Sequence, residues 1–345
     1  MDLTEKIAYN ALAVTNGGDY AKLRKILEKY STWSNALNAT QELFPKTNSI
    51  DEWNKMKKEG IDLIMQSDQE YPAILKEIAQ PPHGLYVKGN LADNHLTHVA
   101  IVGTRRCTAN GRNIAYRFGQ EVAKAVIVSG LALGIDTAAH EGALAAGQKT
   151  IAVLAGGLNN IYPAQNQKLA DKIIASGGAL ISEYPYNSGI HLGRFLARNR
   201  IVSGLSSGVL IIEAPQKSGS LSTAKFAIEQ NRNVYVLPGP SNHPNYKGSH
   251  DLIKSGASLV TEPSDILSDL GLTVNNLKSN LEKNINNLNN EEKKIYDIVK
   301  LAGEPVPIDK IIENCKLEPY VVSSTLTFLS MKNIIKENFG FYEIA

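Results

Sequence analysis

The chain is short of several things that mark whole classes of protein. Its 345 residues include only two cysteines, two tryptophans and four methionines, and aromatic residues make up 7%. Cys107 and Cys315 lie far apart and form no CxxC pair, so neither a disulfide framework nor a zinc site is indicated. No uninterrupted apolar stretch approaches the roughly 18 residues that a membrane span needs. The start, Met1-Asp2-Leu3-Thr4-Glu5-Lys6, lacks the basic-then-apolar order of a signal peptide. A cytoplasmic protein without a membrane partner is the expectation. An excess of one charge is missing too: 36 Lys+Arg against 34 Asp+Glu leave +2, which taken alone argues against a polyanionic partner. Cofactor signatures are equally scarce. The glycine turn after the first buried strand is no GxGxxG and no acidic ribose-binding residue follows it, so no nicotinamide or flavin is expected. The seven histidines include no HExxH, and no metal is expected either.

What is present is unevenly placed. Residues 97–262 carry 16 basic and 9 acidic side chains, a block of +7, while the segments on either side are acidic and sum to −5. Eight of the nine arginines fall within 105–232, and only Arg24 lies outside. Arginine's rigid five-donor fork suits phosphate oxygens and flat bases better than lysine's point charge. Internal ion pairing accounts for some members of such a cluster, and an anionic ligand for the rest.

The same block has α/β texture. Apolar runs at 98–102, 126–128, 150–154, 179–181, 209–212 and 234–237 alternate with helical stretches, and they are continuous where a half-exposed strand alternates. Nineteen of the 27 glycines fall in 97–262, mostly at strand ends. The pattern predicts an α/β fold, an extended Rossmann-like and mostly parallel sheet, with ligands bound beyond the carboxyl ends of its strands. Ahead of it, over residues 1–60, Asp19 caps a helix repeating Leu23, Ile26, Leu27 and Tyr30, and Asp51 opens another. Residues 61–274 form the Rossmann-like domain and the asparagine-rich 275–290 reads as a linker. Residues 291–345 show three helices and a hairpin, the winged-helix order. The third of those helices, Tyr320 to Met331, has no Arg or Lys, which favours a protein-interaction role over DNA reading.

Four glycine turns and the arginine-rich segment 191–200 carry the candidate chemistry; one of the turns, Ala155-Gly156-Gly157 to Tyr162-Pro163, offers amides without an obvious acid or base. Gly103-Thr104-Arg105-Arg106 offers amides and guanidinium groups to an anion. Ser129-Gly130 leads to Asp136 and His140, four apart on a helical face; a Ser–His–Asp relay is conceivable, and a cap at Asp136 with a hydrogen-bonded His140 explains the same letters more cheaply. Gly204-Leu-Ser206-Ser-Gly208 spells GxSxG but precedes its strand, the wrong side for a nucleophile elbow. Arg194, Phe195, Arg198, Asn199 and Arg200 place two like charges i,i+4 around an aromatic ring that can stack a base. Alternatively, Phe195 is core and one arginine pairs with Glu183 or Glu213. Lastly, Lys217-Ser218-Gly219-Ser220 sets hydroxyls and a lysine at a helix N-terminus, a phosphate seat without a Walker A ending.

Taken in order, these motifs resemble the DNA-processing protein A family, also called DprA or Smf. They are Val102-Gly-Thr-Arg105, Ser129 to Asp136 with Ala139-His140, Tyr162-Pro163, Ser182-Glu183, Phe195 to Arg200, Ser218-Gly-Ser220 with Thr223-Ala224, and Pro238-Gly239. They span about 60–270, and the flanking modules match the family's accessory domains, the first of them a SAM-like helical domain. The resemblance implies a single-stranded DNA-binding protein, not an enzyme, that protects incoming strands and helps load the RecA recombinase in natural transformation and recombination. It also implies a homodimer through the Rossmann-like domain. Carried over by position, Arg105 contacts phosphate, Phe195 and Arg198-Asn199-Arg200 line the pocket, and Ser218, Gly219 and Ser220 close it. Two departures stand out: Leu192 where some members have a basic residue, with Arg194 as its substitute, and His250 where asparagine is usual. Competing with this reading are an enzyme or sensor for a nucleotide-derived small molecule, and a transcription regulator acting through the winged helix.

Overall fold

The computed structural model describes residues 1–40, 49–91, 96–122, 125–272, 288–303, 305–331, 334–338 and 340–344. Of the expected linker, 275–290, residues 275–287 lie outside the described residues. The chain divides into two compact units, Met1–Leu272 and Thr273–Ala345.

The first unit opens with helices α1 (Leu3–Thr15), α2 (Tyr20–Tyr30), α3 (Trp33–Thr40) and α4 (Ser49–Lys58). Asp19 caps α2, its carboxylate accepting from Lys22 N at 3.0 Å. Asp51 does not open α4 but sits within its first turn, where a carboxylate still complements the positive helix end. Strand β1 (Ile61–Met65), the short helix α5 (Ala73–Lys76) and strand β2 (Gly84–Gly89) follow.

The sheet proper then unfolds as β3 (His98–Gly103), α6 (Ala109–Glu121), β4 (Val126–Ser129), α7 (Ile135–Ala145), β5 (Thr150–Val153), α8 (Gln167–Ala175) and β6 (Ala179–Ser182). It continues as α9 (Leu192–Gly204), β7 (Gly208–Ile212), α10 (Gly219–Glu229), β8 (Asn233–Val236), α11 (Lys247–Lys254), β9 (Ser258–Leu259) and α12 (Pro263–Asp269). All six apolar runs are strands. Among the described residues nine strands line up in the order β1-β2-β6-β5-β4-β3-β7-β8-β9. Pairings from β6 through β9 are parallel, and β2 joins β1 and β6 antiparallel.

Both faces of the central strands are covered, which is why their sequences do not alternate. Ile201 and Val202 of α9 and Leu205 just after it, with Ala224 and Ala227 of α10, pack on Val102, Val128, Val153, Val209 and Ile211. On the opposite face Phe118 of α6, Ile135 and Ala138 of α7 and Ile266 of α12 meet Val99, Ile101, Ile127, Leu210 and Ile212. The N-terminal helices and α8 close the β1–β2 end, where the Tyr9 and Trp33 rings meet edge-on at 5.0 Å and Tyr86 donates to Asn10 Oδ1 at 2.9 Å.

Described by itself, the second unit has helices Asn290–Ala302, Ile308–Cys315 and Pro319–Met331 and strands β10 (Val306–Pro307), β11 (Ile335–Asn338) and β12 (Phe341–Ile344), ordered β10-β12-β11. Helix Pro319–Met331 leaves Tyr320 and Phe328 exposed while Val322, Leu326 and Leu329 enter the core. Among the described residues no helix is long and apolar enough to cross a membrane.

Chain order decides where a site can form. From β3 the strands run outward through β4, β5 and β6; then α9 carries the chain back to lay β7 on the other side of β3. Helices following β3 and β7 therefore leave on opposite faces and part above the sheet, opening a cleft at this reversal. The two strands touch so closely there that a Cβ on Gly103 lies 1.9 Å from Ile212 O and 2.6 Å from Ile135 Cγ1. Gly103→Ala is therefore expected to lower stability by about 2 kcal/mol or more in urea unfolding, whereas Gly219→Ala, which meets nothing within 4 Å, leaves the midpoint in place. A Gly103→Ala protein as stable as wild type contradicts this packing.

Candidate functional site

The cleft has a volume of about 410 Å³. Gly103, Thr104, Arg105 and Arg106 from the β3–α6 loop form one side, Gly130 from the end of β4 the floor, and Lys217, Ser218, Gly219 and Ser220 at the start of α10 the other side. Phe195, Arg198 and Asn199 of α9 supply the wall between. Twelve of the fourteen residues expected from sequence thus line one cavity; Arg194 and Arg200 do not.

Arg198 is 5% exposed, and burial pulls its guanidinium down to about 10; Asp136 pushes it back up, and Arg105 adds to the fall. It donates through Nη1 to Gly130 O at 2.7 Å and to Val153 O, and through Nε to Asn199 Oδ1 at 3.2 Å. A Cβ on Gly130 lies 2.5 Å from Arg198 Nη2, so glycine at the end of β4 is what lets this cation pass beneath the turn. Asn199 hands the connection on, donating to Ser222 Oγ at 2.9 Å and Gly219 O at 3.2 Å. Ser218 caps α10: its hydroxyl accepts from Ser220 N at 3.3 Å and lies 2.7 Å from the Ser220 hydroxyl. Arg198 and Asn199 thus tie the β4 turn to the α10 N-terminus, whose amide end favours anions.

Above this floor the cations are uncommitted. Arg105, Arg106 and Lys217 are exposed, and none has a carboxylate partner within 4 Å among the described residues. The Arg105 guanidinium lies over the Phe195 ring at 5.0 Å, and Tyr162 flanks that ring at 5.8 Å with an interplanar angle of 57°. Tyr162, Pro163, Ala132 and Leu133 bound a smaller notch of about 50 Å³ beside the cleft. Tyr162 belongs to none of the expected site residues; it follows the Gly156-Gly157 turn after β5, which brings it to the same sheet edge as Gly130.

The two outlying arginines explain themselves. Arg200 forms a two-pronged pair with Glu183, at 2.6 and 3.3 Å, both side chains being buried. Burial pushes the Glu183 carboxyl up and Arg200 opposes the push. Arg194 stands one helical turn before Arg198 but turns away, donating to Gly17 O at 2.6 Å and to Gly189 O and lying 4.3 Å from the Tyr184 ring. No shared anion is needed to separate these like charges, and Arg194 does not replace the basic residue absent at Leu192, which is 87% exposed at the start of α9. His250 rests on Gly239 O, with Nε2 3.1 Å away, and stacks on Tyr246.

The conceivable relay is not assembled. Gly134, with φ +83°, precedes α7 in place of Asp136 as cap. Asp136 instead accepts from Gly130 N at 3.1 Å and Ala132 N at 3.4 Å, while burial pushes its carboxyl up against these bonds and Arg198. Ser129 donates to Ile101 O at 2.6 Å. His140 is wholly buried with Nδ1 2.7 Å from Thr150 Oγ1; since Thr150 donates to Ile127 O, the Nδ1 hydrogen belongs to His140. Ser206 of the GxSxG sequence is buried and donates to Val202 O.

Burial, aided by Arg198, pushes His140 down to about 3, so it stays neutral in the folded chain while an unfolded histidine takes up a proton near pH 6.5. The stability it contributes is therefore complete above about pH 6.5 and is lost as pH falls toward 3, at about 1.4 kcal/mol per pH unit. His83, pushed to about 4 chiefly by burial, acts with the same sign. In urea unfolding between pH 6.5 and 4, His140→Gln is expected to show a shallower loss of stability than wild type; an equal slope refutes the buried neutral assignment.

The geometry finds counterparts among known proteins. The sequence profile of the DNA recombination-mediator protein A family matches residues 62–271. The chain is 39% identical over 263 residues to Protein Smf of Escherichia coli (strain K12), covering 71% of this chain and 70% of that one. With DNA processing protein DprA of Bacillus subtilis (strain 168) it shares 38% over 236 residues, 68% and 78% of the two chains. The crystal structure of DNA processing protein A from Streptococcus pneumoniae superposes with a TM-score of 0.65 at 32% identity, covering 76% of this chain and 97% of that one. The solved structure of DNA processing protein A from Helicobacter pylori, described for its single-stranded DNA binding mode, gives 0.54 at 34% identity over 61% and 95%.

Proposed function

The chain belongs to the DNA recombination-mediator protein A family, and from that premise we propose that its cleft binds single-stranded DNA. One observation carries the reading: Arg105, Arg106 and Lys217, three cations with no carboxylate partner within 4 Å among the described residues, line with the Phe195 ring a cleft that has a helix N-terminus as one side. Cations that repay their desolvation inside the fold, as Arg200 does with Glu183, are spent; these three are available to phosphates. Phe195 and Tyr162 offer π-faces, which accept any base and so favour binding with little sequence preference. A duplex hides its base faces, so a strand is the better fit. The chain works as a binding protein rather than an enzyme: the buried His140 and the cleft-lining Asp136 are spent on local hydrogen bonds. In this reading it acts in the cytoplasm as a homodimer through the Rossmann-like domain, shields incoming strands and helps load RecA during natural transformation and recombination. The 291–345 unit serves protein contacts, as its uncharged third helix with Tyr320 and Phe328 exposed suggests.

Fluorescence anisotropy with an oligothymidylate and a matched duplex across a salt series tests this. Wild type is expected to prefer the single strand and to lose affinity steeply with salt. Arg105→Ala makes that dependence shallower by about 0.7, the share of one phosphate that the guanidinium no longer neutralises. Phe195→Ala costs about 1–3 kcal/mol at every salt concentration. Arg200→Ala acts on stability instead, leaving a buried carboxylate unpaired. Strand binding unaltered by Arg105→Ala and Phe195→Ala removes the site assignment.

A further inference from the structure

Glu213 follows β7 directly, is 0% exposed and does not line the cleft, yet the loop that carries Arg105 and Arg106 is fastened to it. Its φ of +51° is a left-handed conformation that residues other than glycine seldom adopt, and such positions are held only where surrounding bonds over-determine them. Those bonds are present. Its main-chain carbonyl accepts from Thr104 N at 2.9 Å, at one end of the loop. Its carboxylate accepts from Thr108 N at 2.9 Å and from the Thr108 hydroxyl, at the other end. Asn245 Nδ2 donates to the same carboxylate at 2.9 Å and to the Arg106 carbonyl at 3.1 Å, so the middle of the loop is anchored through it as well. Tyr246 completes the set with its hydroxyl at 3.2 Å. The first turn of α6 leaves room for all this, since a Cβ on Gly111 lies 2.3 Å from Glu213 Oε1. Burial alone pushes the carboxyl up, but the bonds from Thr108, Asn245 and Tyr246 hold it below its ordinary range.

We infer that Glu213 is the positioning residue of the cleft: without touching the strand, it sets the Thr104–Thr108 loop so that Arg105 and Arg106 meet the phosphates together. The inference rests on the single-strand reading above and deepens it. Glutamine separates the clamp from the charge. An amide oxygen in the Oε2 place accepts from Thr108 N and Asn245, and the amide nitrogen in the Oε1 place donates to the Thr108 and Tyr246 hydroxyls, which accept as readily as they donate. Alanine provides neither.

The test uses the full chain as wild type, Glu213→Ala, Glu213→Gln and Asn245→Ala, with oligothymidylate binding across salt and the rate at which a thiol reagent labels Cys107. Cys107 lies inside the clamped loop, and the other cysteine, Cys315, is 0% exposed. Burial first and Glu213 second raise the Cys107 thiol, so Glu213→Gln, which lacks the charge, is the reference for labelling. Glu213→Ala is expected to weaken binding about tenfold and to flatten the salt dependence by about 0.7 for each phosphate no longer neutralised. It also labels Cys107 faster than Glu213→Gln, which binds as wild type does. Asn245→Ala shifts both readouts in the same direction and carries the comparison if Glu213→Ala does not fold. Wild-type affinity and salt dependence in Glu213→Ala and Asn245→Ala, or Cys107 labelling no faster than in Glu213→Gln, overturn the inference. A wild type that binds no oligothymidylate overturns the single-strand reading, and the labelling rates then decide the clamp by themselves.

Discussion

The pairing of β3 with β7 is the constraint on which the rest depends. Because β4 already occupies one side of β3, the chain must return across the sheet to place β7 on the other, and the connections leaving the two strands diverge. The arginine loop, the β4 glycine turn and the α10 N-terminus converge on the gap so formed. A parallel sheet built without this reversal would bring the same glycine turns to one edge but leave no opening between them.

Around that opening the arginines divide by what their surroundings supply. Burying a guanidinium is costly unless its donors are satisfied. Arg200 meets the Glu183 carboxylate, and Arg198 meets two main-chain carbonyls and an amide oxygen, with the buried Asp136 stabilising its charge. Both are structural cations, although Arg198 also forms part of the cleft wall. Arg194 spends its donors on Gly17 and Gly189, joining α9 to the turn after α1. Arg105 and Arg106 remain on the surface. Helix α9 thus presents its aromatic Phe195 toward the cleft while its charges brace the scaffold behind.

Much of this was legible in the chain. The six central strands announced themselves by continuous β-branched runs, because both faces are buried, and Ser218 and Asp19 announced helix starts because capping is a local matter. The antiparallel strands β1 and β2 did not stand out: Ile61–Met65 alternates and Gly84–Gly89 is bounded by glycines, so neither reads as a buried run. Asp136 looked like a cap because it opens a helical stretch, but Gly134 takes that place, where a Cβ would lie 2.6 Å from Thr104 O. The arginine cluster was visible as a cluster, without its division.

Sequence alone determined the fold class, the six central strands and the concentration of positive charge in one block. All of these follow from short-range periodicity and composition. Tertiary structure decided which arginines are free, since that depends on whether a carboxylate or carbonyl more than a hundred residues away, as with Arg194 and Gly17, or only 17 residues away, as with Arg200 and Glu183, comes within hydrogen-bonding reach. It also decided that Glu213 belongs to the Arg105 loop. A net charge of +2 counts every ion pair as zero wherever it lies; only the packing tells a cation spent inside the fold from one left facing solvent.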